Sequence, residues 1–208
     1  MSTHLVIDPP HPTSRRQGRA QRREERHRLE RCDTLTARLA ELHAMRSLLE
    51  RSVEVVSRGW VQGAWFTVAT RGGTRVVAAH DVRRATRHSV VGACLVGGVV
   101  EGGGGPTSVR SQLVRRTLDL TWHTLHEDLR ELVRWCPGPD VRLLRLLDLT
   151  RWNDAPGRTQ EEVIDLLVTT QHTADVQREL CRAELSGVGI ASEACAQSPT
   201  PRQAPQTY

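Results

Sequence analysis

The chain has 208 residues, 29 basic and 24 acidic, with a formal net charge of +5. That length predicts one domain plus tails, and a chain of this size buries roughly 70% of its unfolded surface without help from a metal or a disulfide. Counting glycine, about 45% of the residues are apolar, which speaks against collagen-like, wholly disordered and membrane-spanning classes.

The start, Met1 to Pro12, has no basic segment leading into an apolar one, so no secretory signal is expected there. Residues 1–17 are rich in Pro, Ser and Thr and read as a disordered arm, and residues 187–208 read the same way. All 29 cations are Arg. A GC-rich genome accounts for that, since both Lys codons are A-rich, and Arg is then the default cation rather than a choice for bidentate recognition. Residues 15–31 hold eight Arg and three Glu, while the rest of the chain balances to zero. The whole charge imbalance therefore sits in one short segment.

From about Arg19 to Ser57 the pattern is helical. Cys32, Leu35, Leu39, Leu42, Leu49, Val53 and Val56 alternate steps of three and four, and Arg46 interrupts them. Such a seam suits either a short coiled coil, which would make a homodimer, or a long bundle helix. Gly59 stands where a left-handed helix cap is expected. Residues 64–80 pair two runs with β-branched residues around Gly72-Gly73 and predict a hairpin. The run Val90–Val100 reads as a buried strand or a small-residue helix, and its eleven residues are too few to span a membrane.

Gly102–Gly105 with Pro106 predict a flexible break. Thr107 or Ser108 is the expected cap of a helix reaching about Val133, with Val109, Leu113, Leu120, Leu125, Leu129 and Leu132 as its apolar stripe. CPGPD is a turn, Val141–Trp152 a short apolar helix, and NDAPG a second turn. Thr159 and Glu162 form a capping box that opens a helix through Val163, Ile164, Leu166 and Leu167 to about Leu185. The expected fold is a single, mainly α domain with a small β-hairpin and a long N-terminal helix. With only seven aromatic rings, the five Trp are expected to anchor its core.

Several marks occur together in the body. Gly59-Trp60 is followed by Val61-Gln62-Gly63, then by Gly92-Ala93-Cys94-Leu95-Val96-Gly97. Trp152-Asn153-Asp154-Ala155-Pro156-Gly157-Arg158-Thr159 and Glu161-Glu162-Val163 complete the set. Over roughly residues 35–180 the chain resembles the domain-of-unknown-function family 6197 of high-GC bacteria and phages. The resemblance implies a shared fold and carries no activity with it.

Four groups of residues bear on chemistry. Trp152, Asn153, Asp154 and Arg158 suit a binding loop, in which Arg158 and the helix start near Gln160 would meet an anion. The same residues suit a structural turn, with Trp152 in the core and an Asn or Asp side chain closing the backbone. Gln62, Cys94, His123 and Asn153 match the residue types of a thiol hydrolase or acyl transferase, which needs a thiolate, an imidazole and an orienting amide. The local signature of a papain-like Cys is absent, and a buried small Cys is the alternative. His123 and His126 share a helix face one turn past Asp119, but the spacing is not that of a zinc site, and the five Cys (Cys32, Cys94, Cys136, Cys181, Cys195) form no CxxC pair.

Finally, Arg15, Arg16, Arg19, Arg22, Arg23 and Arg26 suit phosphate contact through charge alone. The expected protein is thus a cytoplasmic, non-enzymatic accessory or regulatory binding protein. It needs no cofactor or metal and has no membrane attachment, and its arginine-rich helix meets nucleic acid or an acidic partner. A purely structural oligomer is the third reading.

Overall fold

The computed structural model describes residues 12–82, 88–128, 133, 135 and 138–196, with side chains from 18 to 187. Five α-helices and one three-stranded sheet make up the described residues: α1 (Pro12–Arg58), β1 (Phe66–Thr70), β2 (Gly73–Val77), β3 (Val90–Ala93), α2 (Leu95–Gly102), α3 (Gln112–His126), α4 (Pro139–Asn153) and α5 (Gln160–Ala196). The chain divides into two compact units. One is Leu39–Cys181; the other joins the residues up to Arg38 to those from Arg182 onward.

In the Leu39–Cys181 unit, α1 turns Leu42, Met45, Leu48, Leu49, Ser52, Val55 and Val56 inward, all buried at helical spacing. The seam from Leu42 to Val56 is therefore spent on the unit's own core, and the bundle-helix reading holds for it. Arg46 stands beside that stripe and pairs with Glu50 and Asp175. In the other unit, Arg31 on α1 holds Glu184 on α5 through two guanidinium nitrogens at 2.6 and 3.0 Å.

The hairpin forms as its sequence predicts. β1 is the central strand of the order β2-β1-β3, antiparallel to both neighbours. Phe66 and Val68 are buried in the core, and Thr67 between them is only partly buried. Gly73 has φ +126°, a conformation that L side chains rarely adopt, and it closes the two-residue turn.

The ambiguous run 90–100 proves to be both structures in sequence. Val90–Ala93 is a strand, and Leu95–Gly102 is a helix buried almost throughout. Cys94 stands at the switch as the helix N-cap, its sulfur accepting from Gly97 N–H at 3.3 Å. α2 is lined with glycine because backbone crowds it. A Cβ on Gly97 would lie 2.0 Å from the Trp65 carbonyl oxygen, and one on Gly102 would lie 2.7 Å from that of Leu48.

Gly59 departs from expectation. Its φ is not positive, so it is no left-handed cap. It is small because β3 passes over it: a Cβ there would meet Val91 O at 2.9 Å, and one on Gly92 would meet Gly59 O at 2.7 Å. That approach lets Ala93 N–H reach Gly59 O at 2.9 Å.

The next boundary also moves. Thr107 and Ser108 belong to a 3-10 turn, Pro106–Arg110, and α3 starts instead at its cap Ser111, whose hydroxyl accepts from Val114 N–H. α3 ends at His126, short of Val133; of its expected stripe Leu120 is buried, together with Val114, Thr117 and Thr121, while Val109, Leu113 and Leu125 are only partly buried. Leu129 and Leu132 lie outside the described residues. Gly104 and Gly105 turn the chain with positive φ and bond back to Glu101 O. α4 opens with Pro139 in its first turn and buries only Leu149 and Asn153.

The capping box is present in both directions: Thr159 N–H donates to Glu162, and Glu162 N–H donates to the Thr159 hydroxyl. α5 then runs past Leu185 to Ala196, and α1 begins at Pro12, so both helices are longer than their periodicity suggests. Residues 1–11 and 197–208, within the expected arm and tail, lie outside the described residues.

One tryptophan anchors the core and three rim it. Trp65 is buried, while Trp60, Trp122 and Trp152 are partly exposed and packed against it; Phe66 is the fully buried ring. The Trp60 indole N–H donates to Asn153 and that of Trp122 to Asp148.

Gly97→Ala is expected to lower stability by about 3 kcal/mol, because the obstacle is backbone and cannot rotate away. Gly18→Ala, in a helix with nothing within 4 Å, is expected to add about 1 kcal/mol. Urea midpoints read both. Equal and small effects would refute the close-packed account of α2.

Candidate functional site

The turn after α4 gathers most of the sequence marks. Asn153 is the last residue of α4 and is fully buried. Its Oδ1 accepts from the Trp60 indole N–H and from Leu95 N–H, both at 3.0 Å. Its Nδ2 donates to Val61 O at 3.2 Å and to Asp154 Oδ1 at 2.8 Å. An amide side chain has two donors and two acceptor positions, and all four are filled.

The neighbours extend the network. Asp154 Oδ1 also accepts from Gly63 N–H at 3.0 Å, and Gln62 Nε2 donates to the carbonyls of Asn153 and Ala155. Arg158 lies over the Trp152 ring at 3.9 Å, donates to Trp152 O and pairs with Glu162. Gln160 Nε2 donates to Val56 O at 2.6 Å, tying the start of α5 to the end of α1.

Trp152, Asn153, Asp154 and Arg158 thus come together, and the hydrogen bonds described for them run to the protein's own backbone and side chains. The turn is an internal latch between α4, the α1–β1 connection and the start of α2. Gly157, with φ +81°, lets the chain leave it for α5.

Of the four thiol-hydrolase residues, Gln62 and Asn153 meet directly, and Asn153 reaches Leu95, next to Cys94. His123 is engaged elsewhere: its Nδ1 lies 2.5 Å from Glu127 Oε2. Its ring is buried, and Nε2 has no hydrogen-bond partner among the described residues. The Cys94 thiol is buried, and burial pushes it up to about 12, with Asp154's charge adding to the rise and the Gly97 and Val96 amides opposing it. A nucleophilic thiol needs the opposite shift. Burial likewise raises the Glu101 carboxyl at the end of α2, against the lowering effect of Arg58.

The residues considered for a metal are each paired. Asp119 faces Arg142 at 3.3 Å and Arg145 at 3.4 Å, and His126 Nε2 lies 2.6 Å from Asp148 Oδ2. No group of three or more His, Cys, Asp or Glu is placed to hold a metal among the described residues. No described helix is long and apolar enough to cross a membrane.

Arg19, Arg22, Arg23 and Arg26 lie exposed on α1 and make no ion pair among the described residues. Arg28 pairs with Glu25. Arg15 and Arg16 belong to the same helix, and their side chains lie outside the described residues.

These features define a class: a small, mainly helical domain with a three-stranded antiparallel sheet, closed by a buried asparagine turn. The family model for a family of unknown function, DUF6197, matches residues 33–173, and the chain belongs to that family. The match takes in the whole latch and leaves the arginine-rich part of α1 before it. Neither a curated protein nor a solved structure shows a significant match.

Two outcomes follow for these residues. Asn153→Ala leaves several buried partners unsatisfied and is expected to cost roughly 2–4 kcal/mol of stability, whereas Asp154→Asn keeps an acceptor for Gly63 and costs less than about 1. Similar urea midpoints for the two variants would refute the latch. The folded-state rise at Cys94 means that the thiol stabilises the fold below pH 9, and that this contribution is lost as pH climbs from 9 towards about 12. In a chain whose other four cysteines are replaced by Ser, iodoacetamide is expected to leave Cys94 unmodified at pH 8 until denaturant is added. Rapid alkylation of the folded protein would contradict the burial.

Proposed function

We propose that the protein is a non-enzymatic accessory or regulatory binding protein of the cytoplasm that engages nucleic acid or an acidic partner through α1. The observation that carries this reading is the spacing of Arg19, Arg22, Arg23 and Arg26. They fall at i, i+3, i+4 and i+7, so their guanidinium groups share one helix face. The face is exposed and its charges are uncompensated among the described residues, while Arg28 and Arg31 are held by Glu25 and Glu184. Arg15 and Arg16 lie one turn earlier in the same helix. A stripe of cations without a base-reading pattern suits a polyanion bound by charge rather than by sequence.

Four phosphate contacts predict that log K for duplex DNA falls against log salt with a slope of about −4. Replacing the four arginines with Gln is expected to flatten that slope and to leave the unfolding midpoint unchanged. A flat slope in the native chain, or undiminished binding after removal of residues 1–31, would overturn the reading.

A further inference from the structure

A cleft of about 280 Å³ opens in the Leu39–Cys181 unit, between the 3-10 turn before α3, α3 itself and α4. It shares no residue with the Asn153 latch or with the arginine stripe. Its wall is apolar: Trp65, Leu118, Leu146 and Leu149 line it, with Leu143 at the edge. Leu143 is 55% exposed, so this part of α4 presents hydrocarbon to water.

Among the described residues the charged lining is one-sided: four arginines, Arg110, Arg115, Arg142 and Arg145, line the cleft beside one carboxylate, Asp119. Asp119 is 2% exposed and already faces Arg142 and Arg145, which lie deeper. Arg145 is fixed further by stacking on Trp122 at 4.3 Å. Arg110 and Arg115 are exposed and make no ion pair among the described residues. An apolar wall beside two uncommitted cations is complementary to a molecule with a hydrocarbon body and an anionic head.

The dimensions narrow the class. Ligand cavities commonly measure roughly 300–1,000 Å³, so this one lies at the small end and admits a short chain or a single ring rather than a long acyl tail. Arg guanidinium binds carboxylate and phosphate alike, in bidentate geometry. We propose that the cleft is a binding site for a small amphipathic anion, a short alkyl or aryl carboxylate or phosphate. Its apolar body lies against Leu118, Leu146 and Leu149, and its head meets Arg110 and Arg115. The residues come from two separate segments, 109–119 and 142–149, together with Trp65 from the sheet side.

The test uses the full chain, with octanoate, octyl phosphate and the neutral 1-octanol as probes. Calorimetry gives affinity, and amide shifts in a ¹H–¹⁵N spectrum give location. The expected result is saturable binding of at least one anion, with shifts confined to residues 109–119 and 142–149. Which anion binds more tightly assigns the head group. The double variant R110Q/R115Q, altered only at exposed positions, is expected to weaken that anion by about tenfold and to leave 1-octanol unaffected. Leu143→Ser is expected to weaken the anion and 1-octanol together. Absence of saturable binding by both anions would overturn the proposal. So would equal affinity in R110Q/R115Q, or shifts located on Arg19–Arg26 instead of the cleft.

Discussion

The fold depends on one side chain having all its hydrogen bonds met out of water. Asn153 carries two donors and two acceptor positions into a site with no solvent, and each unmet one would cost about 1–3 kcal/mol. The protein meets them with the Trp60 indole, the Leu95 and Val61 backbone groups and the Asp154 carboxylate. Three separate stretches of chain must be correctly placed before the amide is satisfied. An apolar contact would tolerate a slip of an ångström; this one does not, which is how a buried polar network selects a single arrangement.

The glycines around it serve the same end by a different force. Gly59 and Gly92 let β3 lie against the end of α1, and Gly97 and Gly102 let α2 lie against Trp65 and α1. Close backbone approach brings Leu95 N–H to where Asn153 can reach it. The family match extends over both the polar and the small residues of this arrangement. The arginine stripe and the cleft between α3 and α4 are separate surfaces that take no part in it.

Local signals were legible in the sequence. The hairpin around Gly72-Gly73, the Thr159–Glu162 capping box and the long apolar period of α1 all act within a few residues, and each formed as its spacing predicts. Contacts between distant residues were not legible. Its neighbours in sequence give Gly59 the look of a helix cap, yet its true constraint is a strand more than thirty residues later. The run 90–100 was ambiguous because a short strand and a glycine-rich helix adjoin within it without any polar break. The Trp-Asn-Asp turn stood out as a motif, but only coordinates pair it with residues 60–63 and 95. The cleft leaves no mark in the sequence because its arginines come from two segments of a body whose overall charge is balanced.

The separation of those partners has a kinetic side. Trp60 and Asn153 lie 93 positions apart, and Gln62 and Asn153 lie 91 apart. Closing so long a loop costs chain entropy before any bond repays it, whereas the hairpin turn and the helices close over a few residues. The asparagine clasp is therefore expected to close late in folding, and interactions made late act chiefly by slowing escape from the native state. The four hydrogen bonds at Asn153 are in that sense a measure of how long the folded molecule lasts more than of how fast it arises.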